Sequence, residues 1–404
     1  MKTHKLLFFI LIVVIIFCIY YLYKNITYEN FNIIEENSNT YNSLNESQLV
    51  KTTHFNTPNF RDFHKISTVD ISVKYILVID MPNYGGGTTF FMNTVVSMFK
   101  NKVSFLIARN FNNRIHFYIN DESKLDQIME DYEGIEFLNT IQDNISKIFV
   151  NHTAGHSDKF LKHLFTLNKN VTTITHDYSV LFEKTQPLYP EIKNSKLNRS
   201  VIDIRNYDQI ITQNTANLEI FKKYIGDQSV YVSPLPDYHK THIKITSQNK
   251  KTVIGVIGNI SDIKGAKYVK ELIEWSLQNA DKYTVVVFGS INMDYKLKFS
   301  YNTINELNSL LTKYKPNVLI EASLWPETYS YTLSLSMITS LPIMFLSKSF
   351  PSVIENRLSK YSNAYKYDNV RQMCLDFDSK KQDFFYTIEP KIYFNSFWGE
   401  YFLS

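Results

Sequence analysis

The stretch Thr252–Ser290, TVIGVIGNISDIKGAKYVKELIEWSLQNADKYTVVVFGS, contains two short β-branched runs separated by a segment with helical periodicity. Short apolar runs bounded by turn residues are typical of buried strands. Two strands joined through a helix can pair in parallel, because a parallel connection needs a long crossover. The stretch therefore predicts a strand–helix–strand unit in a sheet that is covered by helices on both faces.

The same alternation extends from this stretch in both directions along the chain. Further strand patterns lie at Lys74–Asp80, Lys102–Ala108, Ser146–His152, Val171–Tyr178, Tyr207–Asn214, Pro316–Leu324 and Pro342–Leu346. We interpret the chain as an α/β protein with two Rossmann-like, doubly wound domains whose strands end at a shared cleft, where ligands bind in such folds. The predicted domains span residues 74–235 and 251–375, with a proline-containing linker at 236–250 and a tail at 376–404 that packs on the domains.

An uncharged run of 18 residues, Leu6–Tyr23, lies near the N-terminus. As a helix it would extend about 27 Å, enough to cross the hydrocarbon core of a bilayer. A cleaved signal peptide is the alternative, but the run ends in tyrosines and has no small-residue cleavage site. We therefore predict a cytoplasmic tail at 1–5, a transmembrane signal anchor at 6–23 and a polar stem at 24–73. The flanking charges favour a type II orientation, with the domains lumenal or exterior.

Composition excludes some classes of function. The 404 residues are enough for two domains, and the net charge of +4 comes without a dense Lys/Arg block, which argues against nucleic-acid binding. The two cysteines, Cys18 and Cys374, cannot form a disulfide framework. We accordingly expect ligands to be recognised by local motifs at the strand ends.

Three consecutive glycines, Gly85, Gly86 and Gly87, followed by Thr88, lie between the first strand and a helix that we expect to begin at Thr88 or Thr89. Glycines at such a turn allow the backbone to approach a ligand closely, and the helix N-terminus favours anions. The run is not the G-x-G-x-x-G pattern, so a nicotinamide cofactor is not predicted. A flexible turn without ligand is the alternative interpretation.

A related arrangement, GNISDIKGAKYV at Gly258–Val269, opens the second domain. Lys264 would point into the cleft and neutralise an anionic ligand, and Gly265 would keep the helix N-terminus accessible. An ordinary surface lysine is the alternative. The sequence THDY places His176 and Asp177 at a strand end of the first domain, where an imidazole can bind a hydroxyl or act as acid or base. A structural histidine in a helix cap is the alternative there.

The segment WPETYSYTLSLSM contains a lone carboxylate, Glu327, between a predicted strand and an uncharged helix. A carboxylate at the start of a helix is stabilised by the helix dipole, which is the helix-capping interpretation. In the functional interpretation, Glu327 accepts hydrogen bonds from a bound ligand. The segment alone does not separate these two interpretations.

Taken in order, the glycine cluster, the His-Asp pair, G-N-x4-K-G and S-L-W-P-E-T-Y-S-Y-T-L-S resemble the GT-B glycosyltransferases, most closely the retaining family 4. The resemblance covers about residues 74–360. It implies that Lys264 binds the diphosphate of the donor, Glu327 the transferred sugar and His176 the sugar near the reaction centre. It implies a phosphate or acceptor loop at Gly85–Thr88. The implied donor-binding set is Gly258, Asn259, Lys264, Gly265, Glu327, Thr328, Tyr329 and Ser330.

The resemblance also implies an activity. The protein would be a membrane-anchored glycosyltransferase that moves a sugar from a nucleotide-sugar donor to a glycan, protein or lipid acceptor, with retention. No cofactor and no obligatory metal are implied, and the family mechanism needs no protein nucleophile. The only D-x-D sequence, Asp376-Phe377-Asp378, is interpreted as a solvated segment.

Two positions depart from the family pattern. Asn259 stands where the family usually has an arginine, and Leu335 stands where a second glutamate, in the spacing E-x7-E, is expected to bind the ribose. These departures keep an alternative open, a catalytically inactive GT-B-like protein that binds glycans or serves as a scaffold. An epimerase or phosphorylase would need acid/base carboxylates or a cofactor lysine that the sequence does not identify.

Overall fold

The computed structural model describes residues 69–70, 72–82, 86–120, 123–182, 186–194, 203–225, 230–233, 245, 250–346, 352–359, 361, 363–379 and 397–404. Outside these residues lie the predicted cytoplasmic tail at 1–5, the predicted anchor at 6–23, nearly all of the stem, Gly85 and most of the linker. Within the described ranges, no helix combines the length and the apolar character that a membrane span requires.

The first sheet has the strand order β4-β3-β2-β1-β5-β6-β7-β8. Its strands are β1 (Tyr75–Asp80), β2 (Ser104–Phe111), β3 (Arg114–Ile119), β4 (Ser123–Met129), β5 (Ile145–Val150), β6 (Val171–Ile174), β7 (Gln209–Thr212) and β8 (Val230–Val232). The helices that accompany it are α1 (Gly86–Phe99), α2 (Asp131–Thr140), α3 (Asp158–Leu164), α4 (Tyr189–Asn194) and α5 (Thr215–Ile225). Strands β1, β2 and β5–β8 pair in parallel, as the sequence predicts.

One edge of this sheet differs from the prediction of a parallel sheet. Strands β2, β3 and β4 form an antiparallel extension, and the sequence patterns gave no strand between residues 108 and 146. The β2–β3 turn consists of Asn112 and Asn113, which both have positive φ (53° and 62°). Asparagine tolerates this left-handed conformation, and a two-residue turn of that kind matches the twist of a hairpin. The Asn-Asn pair therefore explains why the chain reverses here.

The second sheet has the order β11-β10-β9-β12-β13-β14, and all of its strand pairs are parallel. Its strands are β9 (Thr252–Ile260), β10 (Tyr283–Ile291), β11 (Lys298–Phe299), β12 (Val318–Glu321), β13 (Ile343–Leu346) and β14 (Ala364–Tyr367). The accompanying helices are α6 (Ala266–Gln278), α7 (Ile304–Tyr314), α8 (Tyr331–Met337), α9 (Val353–Leu358) and α10 (Val370–Ser379). The two sheets confirm the predicted pair of Rossmann-like α/β domains.

The last helix, α11 (Phe397–Leu403), returns to the first sheet. Trp398 and Phe402 are buried in one apolar cluster with Phe91 of α1 and Phe149 of β5. The ring centroids of Trp398 and Phe91 are 5.0 Å apart. The core of the first domain is therefore completed by residues that follow the second domain in the chain.

Helix α10 spans the predicted boundary at residue 375 and contains the D-x-D sequence. Phe377 is fully buried in the second core, and the Tyr367 hydroxyl donates a hydrogen bond of 3.0 Å to Asp376. The interpretation of this sequence as a solvated segment is therefore wrong for Phe377, whereas Asp376 is partly exposed. Its aromatic residue anchors α10 to the sheet.

Candidate functional site

A cavity of about 680 Å³ opens where the carboxyl ends of strands from both sheets meet. This volume lies in the range of small-molecule sites. The predicted site residues that line the cavity are Gly86, Gly87, Thr88, His176, Gly258, Asn259, Lys264, Glu327, Thr328, Tyr329 and Ser330. Gly85 lies outside the described residues, and Gly265 is not among the residues that line the cavity. The structure thus brings motifs from both domains together.

Lys264 reaches the cavity from a short 3-10 turn, Asp262–Lys264, that precedes α6. The turn ends at Gly265, which has a φ of 82°, and a Cβ atom there would lie 2.0 Å from the carbonyl oxygen of Ala322. Only glycine allows α6 to start this close to the loop after β12. The role of Gly265 is therefore close packing between two elements that carry site residues.

The side chains of Lys264 and Glu327 form an ion pair in the cavity. Lys264 is 26% exposed and Glu327 only 4%, and the Lys264 ammonium also lies 5.2 Å from the ring centroid of Trp325. Ser323 donates a second hydrogen bond, of 2.8 Å, to the same Glu327 oxygen. The alternative that Lys264 is an ordinary surface residue is wrong.

Glu327 does not cap the helix that follows it. Helix α8 begins at Tyr331, and the N-cap residue is Ser330, whose side chain accepts a hydrogen bond from the Leu333 N–H group. The helix-capping interpretation of Glu327 is therefore wrong. Because the helix starts four residues later, Glu327 lies in the loop, where its side chain lines the cavity.

The loop around Glu327 is held by residues of the first domain. The Tyr178 hydroxyl donates to the Pro326 carbonyl at 3.2 Å, and the Asn217 amide donates to the Thr328 carbonyl at 2.7 Å. The Thr328 hydroxyl donates in turn to the carbonyl oxygen of His176. These hydrogen bonds tie the Glu327 loop to the strand end that carries His176.

Arg357 of α9 holds the same loop from the second domain. Its guanidinium donates to the carbonyl oxygens of Tyr329 and Ser330 at 2.9 Å and 2.8 Å, and to the Ser334 hydroxyl at 2.8 Å. The guanidinium carbon also lies 4.1 Å from the ring centroid of Tyr329. Loops are usually the mobile part of a site. Here both domains fix the loop, so Glu327 is presented in a defined position.

A second carboxylate, Glu321, lines the cavity at the end of β12. It is 6% exposed, and the Ser336 hydroxyl donates to its Oε1 atom at 2.9 Å. Burial raises the pKa of Glu321 to about 7, and the nearby carboxylate of Glu327 adds to the shift. Glu321 is therefore a candidate acceptor for ligand hydroxyls that the sequence reasoning missed.

The two positions that depart from the family pattern have different surroundings. Leu335 lies on the side of α8 that packs against the apolar cluster containing Ile354 and Leu358, not in the cavity. Asn259 lines the cavity and is exposed, and its side-chain oxygen accepts a hydrogen bond from Ser290. A charge is therefore missing at Asn259, whereas at Leu335 the partly buried side chain packs against an apolar cluster.

His176 is held by a hydrogen bond of 2.7 Å between its Nε2 atom and the Oδ1 atom of Asn151. Its Nδ1 atom lies 3.4 Å from the Gln213 amide nitrogen, and its ring packs against Phe91 at 5.2 Å. Burial, together with the neighbouring His152, lowers the pKa of His176 to about 3. No helix begins within the next few residues, so the helix-capping alternative is wrong.

A second histidine, His152, follows β5 and lines the same cavity. Its Nδ1 atom accepts the Ala154 N–H group at 3.0 Å, which places the ring proton on Nε2, 3.4 Å from Asp177. Although burial raises it, the hydrogen bonds from His152 and Ser179 hold the pKa of Asp177 below its ordinary value. The first domain thus contributes the ionised carboxylate of Asp177 beside the His152 ring.

The missed residues share one signal. Asp80, Asn151, Gln213 and Glu321 each end, or directly follow, a buried strand, and each is almost fully buried. A polar side chain at the carboxyl end of a parallel strand is a candidate for the ligand crevice. In the described part of the chain, no group of three or more His, Cys, Asp or Glu residues could hold a metal ion. The expected independence from metal stays a prediction.

No protein-family profile matches the sequence, and no curated protein sequence matches it either. Among solved structures, Anabaena Alr3699/HepE in complex with UDP and glucose is 12% identical, with a TM-score of 0.52 over 77% of this chain and 90% of that chain. A glycosyltransferase from Rickettsia africae ESF-5 is 9% identical, with a TM-score of 0.50 over the same shares.

The chain also aligns with TarM, at 11% identity and a TM-score of 0.47, and spans only 57% of that protein and 69% of itself. The first two structures show that the chain has the GT-B fold, two Rossmann-like domains that face a cleft. The narrower resemblance to family 4 stays a prediction.

Proposed function

We propose that the protein is a glycosyltransferase that moves a sugar from a nucleotide-sugar donor to a glycan, protein or lipid acceptor. The observation that carries the proposal is the juxtaposition, in one cavity, of the Lys264–Glu327 pair with His176 and the glycine-containing start of α1. These groups come from both domains of a GT-B fold. They supply a cation, a carboxylate and an imidazole within one ligand-sized space.

Each group has a role that fits its chemistry. Lys264 supplies the positive charge that stabilises a leaving diphosphate, and the N–H groups at the start of α1 favour an anion. Glu327 accepts hydrogen bonds from the hydroxyl groups of the transferred sugar. His176 lines the same cavity, on a loop tied to the Glu327 loop by the hydrogen bond from Thr328. Glu327 and His176 can therefore contact one sugar together.

The ion pair fits the exchange that a donor would require. Without ligand, Lys264 and Glu327 neutralise each other, which offsets the cost of burying the carboxylate. A donor offers Lys264 a diphosphate and offers Glu327 several hydroxyl groups. The buried charges then stay paired while the ligand binds.

We propose retention as the stereochemical course and no obligatory metal, as the resemblance to family 4 implies. In that course the acceptor hydroxyl attacks the face from which the nucleotide leaves, and a donor phosphate oxygen takes its proton. Orientation and charge stabilisation are then the contributions of the protein. The anomeric configuration of the product, read by proton NMR, tests this assignment, and an inverted product overturns it.

The proposal is tested by screening the full chain in detergent for binding and hydrolysis of UDP- and GDP-sugars. We expect one donor to bind and to be hydrolysed slowly, and Glu327→Gln to abolish turnover without unfolding the protein. If no donor binds or reacts, or if Glu327→Gln keeps full turnover, the proposal fails. Adding a chelator separates metal-dependent from metal-independent turnover.

A glycan-binding protein without turnover is a second candidate, and the uncharged Asn259 is the observation that favours it. One cation fewer in the cavity weakens the binding of a diphosphate. Thermal stabilisation by a glycan, without stabilisation by any nucleotide sugar, would favour this second function. Stabilisation by a nucleotide sugar would favour the transferase.

We also propose that residues 6–23 anchor the protein in a membrane in type II orientation, with the domains lumenal or exterior. The support is the uncharged run and the charges that flank it. Protease treatment of sealed vesicles tests this orientation. Protection of the domains until detergent is added is expected if the domains face the lumen.

A further inference from the structure

Asp80 is a buried carboxylate that is not among the residues lining the cavity. Asp80 ends β1 and receives N–H donors at both oxygens: Arg109 donates to Oδ2 through two nitrogens, each at 2.9 Å. The Met81 N–H group and the Asn151 amide donate to Oδ1 at 3.0 Å and 2.7 Å. Because the Oδ1 atom of Asp80 accepts the Met81 N–H group, it is also the acceptor in its contact with Asn151. The amide nitrogen of Asn151 therefore faces Asp80.

The orientation of Asn151 then fixes the next hydrogen bond. With its nitrogen toward Asp80, its oxygen faces the Nε2 atom of His176 at 2.7 Å. Asn151 is 1% exposed, so water does not compete for either contact. An amide oxygen can only accept a hydrogen bond. The proton of the His176 ring must therefore be on Nε2.

The opposite ring nitrogen is left with a lone pair. The Nδ1 atom of His176 has only a long contact of 3.4 Å with the Gln213 amide nitrogen. The Oε1 atom of Gln213 is buried without a hydrogen-bond partner among the described residues. Both His176 and Gln213 line the cavity. A hydroxyl group that reaches Nδ1 at an ordinary hydrogen-bond distance would replace this weak contact.

We infer that Asn151 is a positioning residue: it holds His176 as the Nε2-protonated tautomer and so reserves Nδ1 as a hydrogen-bond acceptor for a hydroxyl group of the bound ligand. The hydroxyl belongs to the sugar of the donor, a step that rests on the proposed function. In this arrangement His176 orients the ligand and does not transfer protons. Burial and the neighbouring His152 lower the pKa of the His176 imidazole and outweigh the opposite effect of the Asp177 carboxylate, which supports a neutral ring; Asp80 faces the ring only through Asn151.

The tautomer is measured without any activity. In the full chain labelled with nitrogen-15 at histidine, long-range proton–nitrogen spectra separate the two tautomers and the charged form, and His176→Asn identifies the signal. We expect the Nε2-protonated form throughout the range from about pH 8 to about pH 5. An Nδ1-protonated or charged His176 at about pH 6 overturns the inference. This arm needs no variant of Asn151.

Variants of Asn151 and Gln213 then test whether Asn151 sets the tautomer of His176 or only contributes to the packing. Asn151→Leu removes the acceptor and is expected to convert His176 to a mixture of tautomers or to the Nδ1-protonated form, whereas Gln213→Met leaves the Nε2-protonated form unchanged. An unchanged tautomer in a folded Asn151→Leu protein overturns the inference. If this variant does not fold, Asn151→Ser, which keeps a smaller acceptor, takes its place with a partial conversion expected.

The ligand is tested with UDP-glucose as the probe. Binding is expected to move the nitrogen signal of Nδ1 upfield, as for an acceptor of a new hydrogen bond, and UDP alone is expected to leave it in place. Equal shifts with UDP and with UDP-glucose overturn the assignment to a sugar hydroxyl. If the donor screen finds no nucleotide sugar that binds, the proposed function fails, while the tautomer result stands on its own.

Once a donor is known, turnover provides the last readout. Loss of one neutral hydrogen bond to the sugar corresponds to a fall of about tenfold in kcat/KM for the folded Asn151 variant. The loss is expected to be the same at each pH, because the group that is lost does not titrate in this range. A new pH dependence in the variant would instead show that His176 transfers a proton in the reaction.

Discussion

Lys264 and Glu327 form an ion pair although they lie 63 residues apart in the sequence, on a turn before α6 and on the loop after β12. The carboxylate is almost completely buried, and the ammonium is partly exposed to the cavity. Two charges that satisfy each other and face a ligand-sized space are costly for stability alone and useful for binding. Their coupling can be measured separately in activity and in stability.

Removing either charge is expected to abolish most of the transfer activity. Lys264→Met and Glu327→Gln each remove a group that we place against the donor, and loss of one such electrostatic contact lowers kcat by about a hundredfold or more. Initial rates with the identified donor measure the effect. Lys267→Met, an exposed lysine three positions further on, is the matched control and is expected to keep the rate of the unchanged protein.

The same pair makes a prediction about stability. Lys264→Met leaves the buried Glu327 carboxylate with the Ser323 hydroxyl as its remaining donor, and the free energy of unfolding should fall by about 1–3 kcal/mol. The double variant Lys264→Met/Glu327→Gln should recover most of this loss. Urea unfolding of the four proteins measures the coupling, and strictly additive effects would contradict the pair.

A buried histidine away from the cavity predicts acid sensitivity. His156 contacts the Asp80 carbonyl at 2.9 Å, and burial lowers its pKa from 6.5 to about 4, despite the opposite effect of Asp131. The unfolded chain binds this proton first, so the folded state loses stability as the pH falls below about 6.5. Between about pH 7.5 and about pH 5 the loss from this group is about 2 kcal/mol.

His156→Gln removes that titration and keeps an N–H donor near the position of the ring nitrogen. The variant should therefore lose about 2 kcal/mol less than the unchanged protein over this pH interval. Urea unfolding at the two pH values gives the comparison. An identical pH dependence in both proteins would show that His156 titrates normally.

Glu321 predicts a pH dependence of stability with the opposite sign. Its folded-state pKa of about 7 lies above the ordinary value of 4.5, so ionisation costs stability as the pH rises from about 5 to about 8. The expected loss is about 2 kcal/mol, and Glu321→Gln should lack it. Glu271→Gln, at an exposed position of α6, is the matched control and should keep the pH dependence of the unchanged protein. Thermal unfolding across this range is the measurement.

Introducing glutamate, the family residue, at position 335 is expected to lower stability without improving donor binding. Leu335→Glu places a carboxylate at a partly buried position against the apolar cluster of Ile354 and Leu358 and should lower the free energy of unfolding by about 1–3 kcal/mol. Donor affinity should not improve, because the side chain does not reach the cavity. Leu335→Met keeps the volume and should be nearly neutral. A gain in donor affinity in the glutamate variant would contradict this placement.

Much of the fold could be predicted from the sequence because parallel strands that are buried on both faces appear as continuous apolar runs. β9 and β10 are of this kind, and their positions were predicted to within a few residues. The hairpin β3–β4 was missed because RIHFYI and SKLDQIM mix polar and apolar residues, as expected at a sheet edge. The Asn112–Asn113 turn was the available signal.

For the site, the sequence indicated which residues face the cavity but not which residues bind each other. Residues at the ends of parallel strands must meet, whereas the pairing of Lys264 with Glu327 depends on loop conformation. The spacing argument for Leu335 assumed that the helix begins near Glu327. Because α8 begins at Tyr331, the residue eight positions after Glu327 faces the core.

Helix α11 has a consequence for the order of events during protein synthesis. The aromatic cluster of the first domain contains Trp398 and Phe402, which the ribosome adds only after the entire second domain. Lys147 of β5 also binds the Tyr401 carbonyl at 2.7 Å. Part of the apolar surface of the first domain therefore stays uncovered until residues 397–403 have left the ribosome. The second domain can complete its core before the first domain does.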